Sequence, residues 1–160
     1  AYHAEAGCDQ IVRGEDGRLA SMVVNGGPKM AKAVHMMVRV LDEARSVDFY
    51  SQCFGLKIAE RREWPDFSLT YMSNPENDFE VELTVNKGRT EPYDPGNGYG
   101  HVAFVVDDLD AEHARIKAAG YSPKDIKEMT HDGQPFGRFF FIDDPDGYKI
   151  EVLQRRGRFK

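Results

Sequence analysis

Two histidines and two glutamates recur at matching places in this 160-residue chain. Glu82 follows His35 by 47 residues, and Glu151 follows His101 by 50 residues. Imidazole nitrogens and carboxylate oxygens are donors that proteins use to bind divalent cations, and four of them leave coordination positions open for water or substrate. A repeated unit that supplies one His and one Glu each time therefore predicts a metal site.

The strands that must carry these four residues are predicted by alternation of apolar and polar side chains. In HMMVRV, His35 and Arg39 share one face, and in FEVELTV, Glu82 and Asn86 share the face opposite the valines. Glu151 in YKIEVLQ has the same relation to its apolar neighbours as Glu82. One face of each strand is suited to a core and the other to a site.

The surrounding elements predict the same order twice, a strand, a helix and three further strands. In the first unit, Asp42 is a candidate helix N-cap and Gly55 a helix stop. In the second, the helix begins near Asp108 or Asp110 and ends at Gly120. The strands after the helices are predicted at 57–63, 67–72 and 79–86, and at 123–128, 137–142 and 148–154, and the second unit opens with a strand at 100–106.

These patterns predict an α+β fold made of two tandem βαβββ modules, about 33–88 and 99–156. The stretch between Asn86 and Gly100 contains several prolines and glycines and is predicted to be a linker. Residues 1–30 show no sustained periodicity and end in Gly-Gly-Pro, so we expect an N-terminal extension, native or added, outside a domain that covers 31–156.

Composition excludes several function classes. The net charge is −6 and the pI about 5.4, which does not favour binding to a nucleic-acid backbone. No apolar run approaches the roughly 20 residues that span a bilayer, so we expect a soluble cytoplasmic protein without a membrane partner.

The two cysteines form no CxxC motif, and Cys53 is predicted to be a reduced, buried thiol.

From about residue 33 to 156 the chain resembles the glyoxalase I (lactoylglutathione lyase) family of the vicinal oxygen chelate superfamily. The motifs that carry the resemblance are HMMVRVLDEARSVDFYSQCFGLK, VELTVNKG, GYGHVAFVVDD and FIDDPDGYKIEVL. The resemblance implies a homodimer whose active sites are shared between subunits. It also implies a divalent metal held by His35, Glu82, His101 and Glu151.

The activity that the resemblance implies is isomerisation of the hemithioacetal of methylglyoxal and glutathione to S-D-lactoylglutathione. Glu151 is then the expected catalytic base, and Glu82 serves the other face of the substrate. Arg39 and Asn86 are the expected glutathione contacts, and a guanidinium suits a carboxylate because it offers paired donors in one plane.

Two departures from the zinc-type members favour the shorter bacterial enzymes, which use Ni²⁺ or Co²⁺ in preference to Zn²⁺. Asn97 stands where zinc-type members carry an arginine for a glutathione carboxylate. Only 27 residues separate Gly55 from Glu82, so the long insertion of those members is missing.

Other functions stay open at this point. A methylmalonyl-CoA epimerase is also a metal-dependent proton-transfer enzyme, but commonly carries Gln at the position of Glu82. Iron-dependent ring-cleaving dioxygenases use two histidines and one carboxylate, so a fourth ligand argues against them. Drug-binding modules of the same fold have no metal site, and all four ligand positions argue against that class.

Overall fold

The computed structural model describes residues 10–13, 19–22 and 30–159. The chain divides into two compact units, residues 1–33 and 34–160. In the first unit, β1 (Gln10–Arg13) and β2 (Leu19–Met22) pair as an antiparallel hairpin. The sequence predicted no element here, because four-residue strands are too short for alternation to be read from them. That residues 1–30 lie outside the fold stays a prediction.

The first module is a four-stranded sheet with one helix. Its sheet has the order β3-β6-β5-β4, in which β3 and β6 are parallel and the other neighbours are antiparallel. The elements are β3 (His35–Arg39), α1 (Glu43–Phe54), β4 (Lys57–Glu63), β5 (Phe67–Ser73) and β6 (Glu80–Asn86).

The second module repeats this arrangement, with the sheet order β7-β10-β9-β8 and a parallel pair of β7 with β10. Its elements are β7 (Val102–Val106), α2 (Leu109–Ala118), β8 (Lys127–His131), β9 (Gln134–Asp143) and β10 (Lys149–Gln154). The predicted α+β fold of two βαβββ modules is therefore confirmed. Among the described residues, the strand that begins at His35 and the strand that begins directly after His101 each pair with one neighbour and form an edge of their sheets.

One strand of the second module was predicted too early in the chain, near 123–128. The structure places β8 at Lys127–His131 and joins it to β9 by a tight turn. Asp132 and Gly133 form this turn with φ of 49° and 72°. Two successive residues with positive φ are typical of the two-residue hairpin turns that match strand twist. Asp-Gly is among the strongest short sequence signals for such a turn.

The two helices begin in the same way. The Asp42 side chain accepts a 3.0 Å hydrogen bond from the backbone N–H of Arg45, and Asp108 accepts one of the same length from Ala111. Each aspartate lies seven residues after the histidine of its module. Gly55 ends α1 in the left-handed region, with φ of 64°, as a C-terminal glycine should. These caps set the two places where the chain turns from a histidine strand into a helix.

The two modules share one hydrophobic core. One face of each sheet packs against the helices in this core. Phe54 of α1 stacks on Phe104 of β7 with a centroid distance of 4.4 Å. Arg115 of α2 donates hydrogen bonds to the carbonyl oxygens of Gln52 and Cys53. Cys53 is a buried free thiol, as predicted, and burial raises its pKa to about 12. The opposite face of each sheet is left for the site.

In the part of the chain that the structure describes, no helix is long and apolar enough to cross a membrane.

Candidate functional site

His35 and Glu82 lie together on the first module's sheet. Their Nε2 and Oε2 atoms are 3.3 Å apart. The contact follows from the register of the parallel pair, in which Glu82 lies beside Met37, two residues after His35. Residues two apart share a face of a strand, so the imidazole and the carboxylate meet diagonally on one side of the sheet.

His101 and Glu151 form the same contact in the second module, with 3.2 Å between Nε2 and Oε2. Glu151 lies beside Ala103, again two residues after the histidine. The structure therefore brings each predicted His together with the Glu of its own module.

An aromatic ring stands edge-on to each histidine. Tyr71 lies opposite Glu82 in the antiparallel pair of β5 and β6, with its ring centroid 5.8 Å from that of His35. Phe141 lies opposite Glu151 and is 5.4 Å from the ring of His101. The two His–Glu pairs match in residue type, register and flanking ring.

The donor pairs have the spacing that a shared cation requires. Two ligand atoms about 2.1 Å from one ion, at an angle of about 90–110°, are roughly 3.0–3.5 Å apart. Both His–Glu contacts fall within that interval. The histidine side chains are about 40% exposed, whereas those of Glu82 and Glu151 are 10% and 15% exposed. In each pair, solvent therefore reaches the imidazole more readily than the carboxylate. The residues present fit a divalent metal.

Each pair supplies two of the four metal ligands that the sequence predicts. Within the described residues, no group of three or more His, Cys, Asp or Glu side chains is close enough to hold one ion. The two pairs are therefore apart in a single chain. Two ligands are fewer than a structural or catalytic ion usually takes from protein.

Glu82 is held more firmly than its counterpart. Its Oε1 accepts a 3.2 Å hydrogen bond from the hydroxyl of Thr84, and both side chains are buried. Desolvation and a hydrogen-bonding interaction with Glu82 raise the pKa of the Tyr71 phenol. The alternation along β6 puts Thr84 on the face of Glu82, whereas no pattern in the sequence points to Tyr71. Its position opposite Glu82 depends on the antiparallel register, which the sequence does not reveal.

Arg39 and Asn86 lie on the same sheet face as the first pair. Arg39 follows His35 by four residues on β3 and is exposed. Among residues 30–159, no carboxylate forms a salt bridge with it, so the surface ion pair that could explain an arginine here is not found in that range. The Asn86 amide donates a 2.9 Å hydrogen bond to the Tyr93 hydroxyl. Arg39 is therefore available to an anionic ligand.

A cavity of about 770 Å³ lies elsewhere in the described residues. It is lined by the end of α1, by β7 and by Arg115 and Arg155, and by none of the predicted site residues. Its basic side chains are already engaged, since Arg115 binds Glu112 and Arg155 binds Glu76 and Asp107. This cavity therefore does not coincide with the predicted site residues.

The chain is similar to known proteins over most of its length. A family model described as Glyoxalase/Bleomycin resistance protein/Dioxygenase superfamily matches residues 32–152. A lactoylglutathione lyase of Neisseria meningitidis serogroup A is 35% identical over 129 residues, which cover 78% of this chain and 91% of that protein. One from Salmonella typhimurium is 36% identical over 129 residues, with coverages of 78% and 93%.

A crystal structure of glyoxalase I from Zea mays is similar to the fold, with a TM-score of 0.68 at 34% identity. The match covers 79% of this chain and 45% of the maize chain, so this chain spans less than half of that protein.

Proposed function

This chain belongs to the Glyoxalase/Bleomycin resistance protein/Dioxygenase superfamily, and from that premise we propose that it is a lactoylglutathione lyase. The reaction is isomerisation of the hemithioacetal of methylglyoxal and glutathione to S-D-lactoylglutathione. The observation that carries the proposal is the pair of equivalent His–Glu contacts, 3.3 and 3.2 Å, each at the spacing of two ligands on one ion.

His35, Glu82, His101 and Glu151 are the residues that would hold the metal. When bound, a divalent ion polarises the substrate carbonyl and stabilises negative charge that develops on oxygen. We propose Ni²⁺ or Co²⁺ in preference to Zn²⁺, on the short segment between Gly55 and Glu82. The nitrogen and oxygen ligands themselves permit all three.

We propose a homodimer in which the first module of one chain faces the second module of its partner. Such an arrangement unites the two half-sites that are apart in one chain. It explains why each module keeps a complete His–Glu pair, and it gives four protein ligands to each of two sites.

Glu151 is the proposed base. Its carboxylate takes the proton from C1 of the hemithioacetal and returns it to C2, while the proton of the C1 hydroxyl passes to the oxygen on C2 and C1 becomes the thioester carbonyl. The electron pair of the C1–H bond stays within the substrate, so no external oxidant or reductant is needed. Glu82 faces the substrate from the other half of the site. A carboxylate within reach of the transferred proton contributes about 10²–10⁴-fold to such a step.

Arg39 and Asn86 are the proposed glutathione contacts. Arg39 projects from the strand that carries His35 and has no carboxylate partner within residues 30–159, so its paired N–H donors can bind a glutathione carboxylate. The Asn86 amide lies on the same face, near the end of β6. These contacts hold the thiol end of the substrate beside the first His–Glu pair.

The test is an assay with methylglyoxal and glutathione, followed by thioester absorbance, on protein stripped with a chelator and then reloaded. We expect stripped protein to be inactive, and Ni²⁺ or Co²⁺ to restore more activity than Zn²⁺. Full activity after stripping would overturn the proposed reaction. Better recovery with Zn²⁺ would contradict the metal preference alone.

A further inference from the structure

The two half-sites match in their ligands but differ in the two residues that surround each glutamate. Thr84 lies two residues after Glu82, and the equivalent position after Glu151 is Leu153. Tyr71 lies opposite Glu82, where the second module has Phe141 opposite Glu151. Both differences place a hydroxyl in the first module and only hydrocarbon in the second.

The Thr84 hydroxyl changes how the two carboxylates are held, and Tyr71 lies opposite Glu82 on the neighbouring strand. Glu82 uses Oε2 toward His35 and accepts the hydrogen bond of Thr84 at Oε1, so both of its oxygens are engaged. Glu151 uses Oε2 toward His101. Within residues 30–159, no group donates a hydrogen bond to its Oε1. A carboxylate with two fixed oxygens keeps its orientation, whereas one with a free oxygen can rotate and accept a proton.

We infer that Thr84 and Tyr71 are positioning residues that hold Glu82 as a fixed metal ligand and leave Glu151 as the carboxylate that moves protons. This inference rests on the proposed function. Because the two glutamates approach the substrate from opposite halves of the site, the hydroxyl pair also determines which face of C2 receives the proton. That face sets the handedness of the lactoyl product.

The hydrogen-bonding partners of a metal ligand commonly change metal affinity or activity by about 10–100-fold when removed. We therefore expect the Thr84→Val, Tyr71→Phe double variant to bind Ni²⁺ about 10–100-fold more weakly. We also expect the fraction of L-lactoyl product to rise above that of the wild type, because a released Glu82 can return a proton to the opposite face.

Two readouts make up the experiment. Ni²⁺ affinity is measured by competition with a chromophoric chelator, and the thioester product is hydrolysed and its D- and L-lactate are determined separately. Thr84→Ser keeps the hydroxyl and should behave as the wild type. Thr70→Val is the matched control, because Thr70 is also a buried threonine that donates to a carboxylate, that of Glu43, on the other face of the same sheet.

The reciprocal variant Phe141→Tyr adds a hydroxyl beside Glu151 and should lower kcat about 10–100-fold with little change in KM. It keeps the inference testable if the double variant does not fold. Wild-type affinity and product handedness in the double variant, or unchanged kcat in a folded Phe141→Tyr, would overturn the inference. Inactivity of the wild type with Ni²⁺, methylglyoxal and glutathione would instead refute the proposed function.

Discussion

The hydroxyl of Tyr50 donates a 3.1 Å hydrogen bond to the buried carboxylate of Asp144 and so ties the helix of the first module to the turn before β10 of the second. Asp144 also accepts hydrogen bonds from the backbone N–H groups of Asp146 and Tyr148. Asp146 in turn accepts from the backbone of Leu41, directly after the strand of His35. The turn before β10 is therefore hydrogen-bonded both to α1 and to the segment that follows β3.

Replacement of Tyr50 by Phe should destabilise the protein by about 1–3 kcal/mol, because it leaves a buried carboxylate with one partner fewer. Urea unfolding, followed by circular dichroism, measures the change in the free energy of unfolding. Tyr121→Phe is the control, since it removes an exposed hydrogen bond to Asp48 and should cost less than Tyr50→Phe. Equal losses in the two variants would contradict a special role for the buried contact.

The buried Asp144 should also make stability depend on pH. Burial, which outweighs its hydrogen bonds, raises the pKa of Asp144 above its ordinary value. The folded protein therefore holds this proton more tightly than the unfolded chain. Its stabilising contribution is fully present below the unfolded pKa of about 3.9 and is lost as pH rises through the higher folded pKa.

Asp144→Asn removes this titration. We expect the free energy of unfolding of the variant, minus that of the wild type, to increase as pH rises above about 4. Urea denaturation at a series of pH values measures the difference. A difference that does not vary with pH would show that Asp144 titrates alike in the folded and unfolded states.

Arg39→Ala should raise KM for the hemithioacetal with a smaller effect on kcat, because the proposed contact to glutathione exists in both the ground and transition states. Loss of a charge-assisted hydrogen bond costs about 1.5–3 kcal/mol, so KM should rise roughly 10- to 100-fold. Steady-state kinetics measure both constants. Arg138→Ala, which removes an arginine paired with Asp110 on the other face of its sheet, should leave KM unchanged. The same KM for Arg39→Ala and the wild type would remove Arg39 from the site.

Glu151→Gln keeps an oxygen for the metal but removes the basic carboxylate. It should bind metal about 10–100-fold more weakly and lose about 10²–10⁴-fold in kcat.

Mixing the Glu151→Gln variant with an inactive His35→Ala variant tests the shared site, because a heterodimer would contain one site with both lesions and one with neither. We expect activity to return on subunit exchange. A mixture that stays inactive while heterodimers form would place all ligands in one chain.

Deletion of residues 1–30 should leave activity and thermal stability largely unchanged, because their sequence lacks the pattern of a segment that joins a core. Thermal unfolding of the full chain and the shortened chain measures this. A large fall in Tm would show that the segment docks on the domain.

The sequence predicted most of the fold because the strands alternate cleanly and both helices have an aspartate cap. Alternation also placed Glu82 and Asn86 on one face. It could not show that His35 reaches Glu82, since this contact depends on the parallel pairing of strands 47 residues apart. Tyr71 and Phe141 were missed for the same reason. An aromatic residue in a strand usually indicates packing, and only the register places these rings beside the glutamates.

The division of ligands into two incomplete pairs has a thermodynamic consequence for the proposed dimer. An ion that needs both pairs binds the assembled form and not the separated chains, so metal occupancy and subunit association are linked by mass action. Apparent metal affinity should therefore increase with protein concentration, and a chelator should act as a dissociating agent at high dilution. In this arrangement the metal is both a catalyst and a reversible cross-link between two chains.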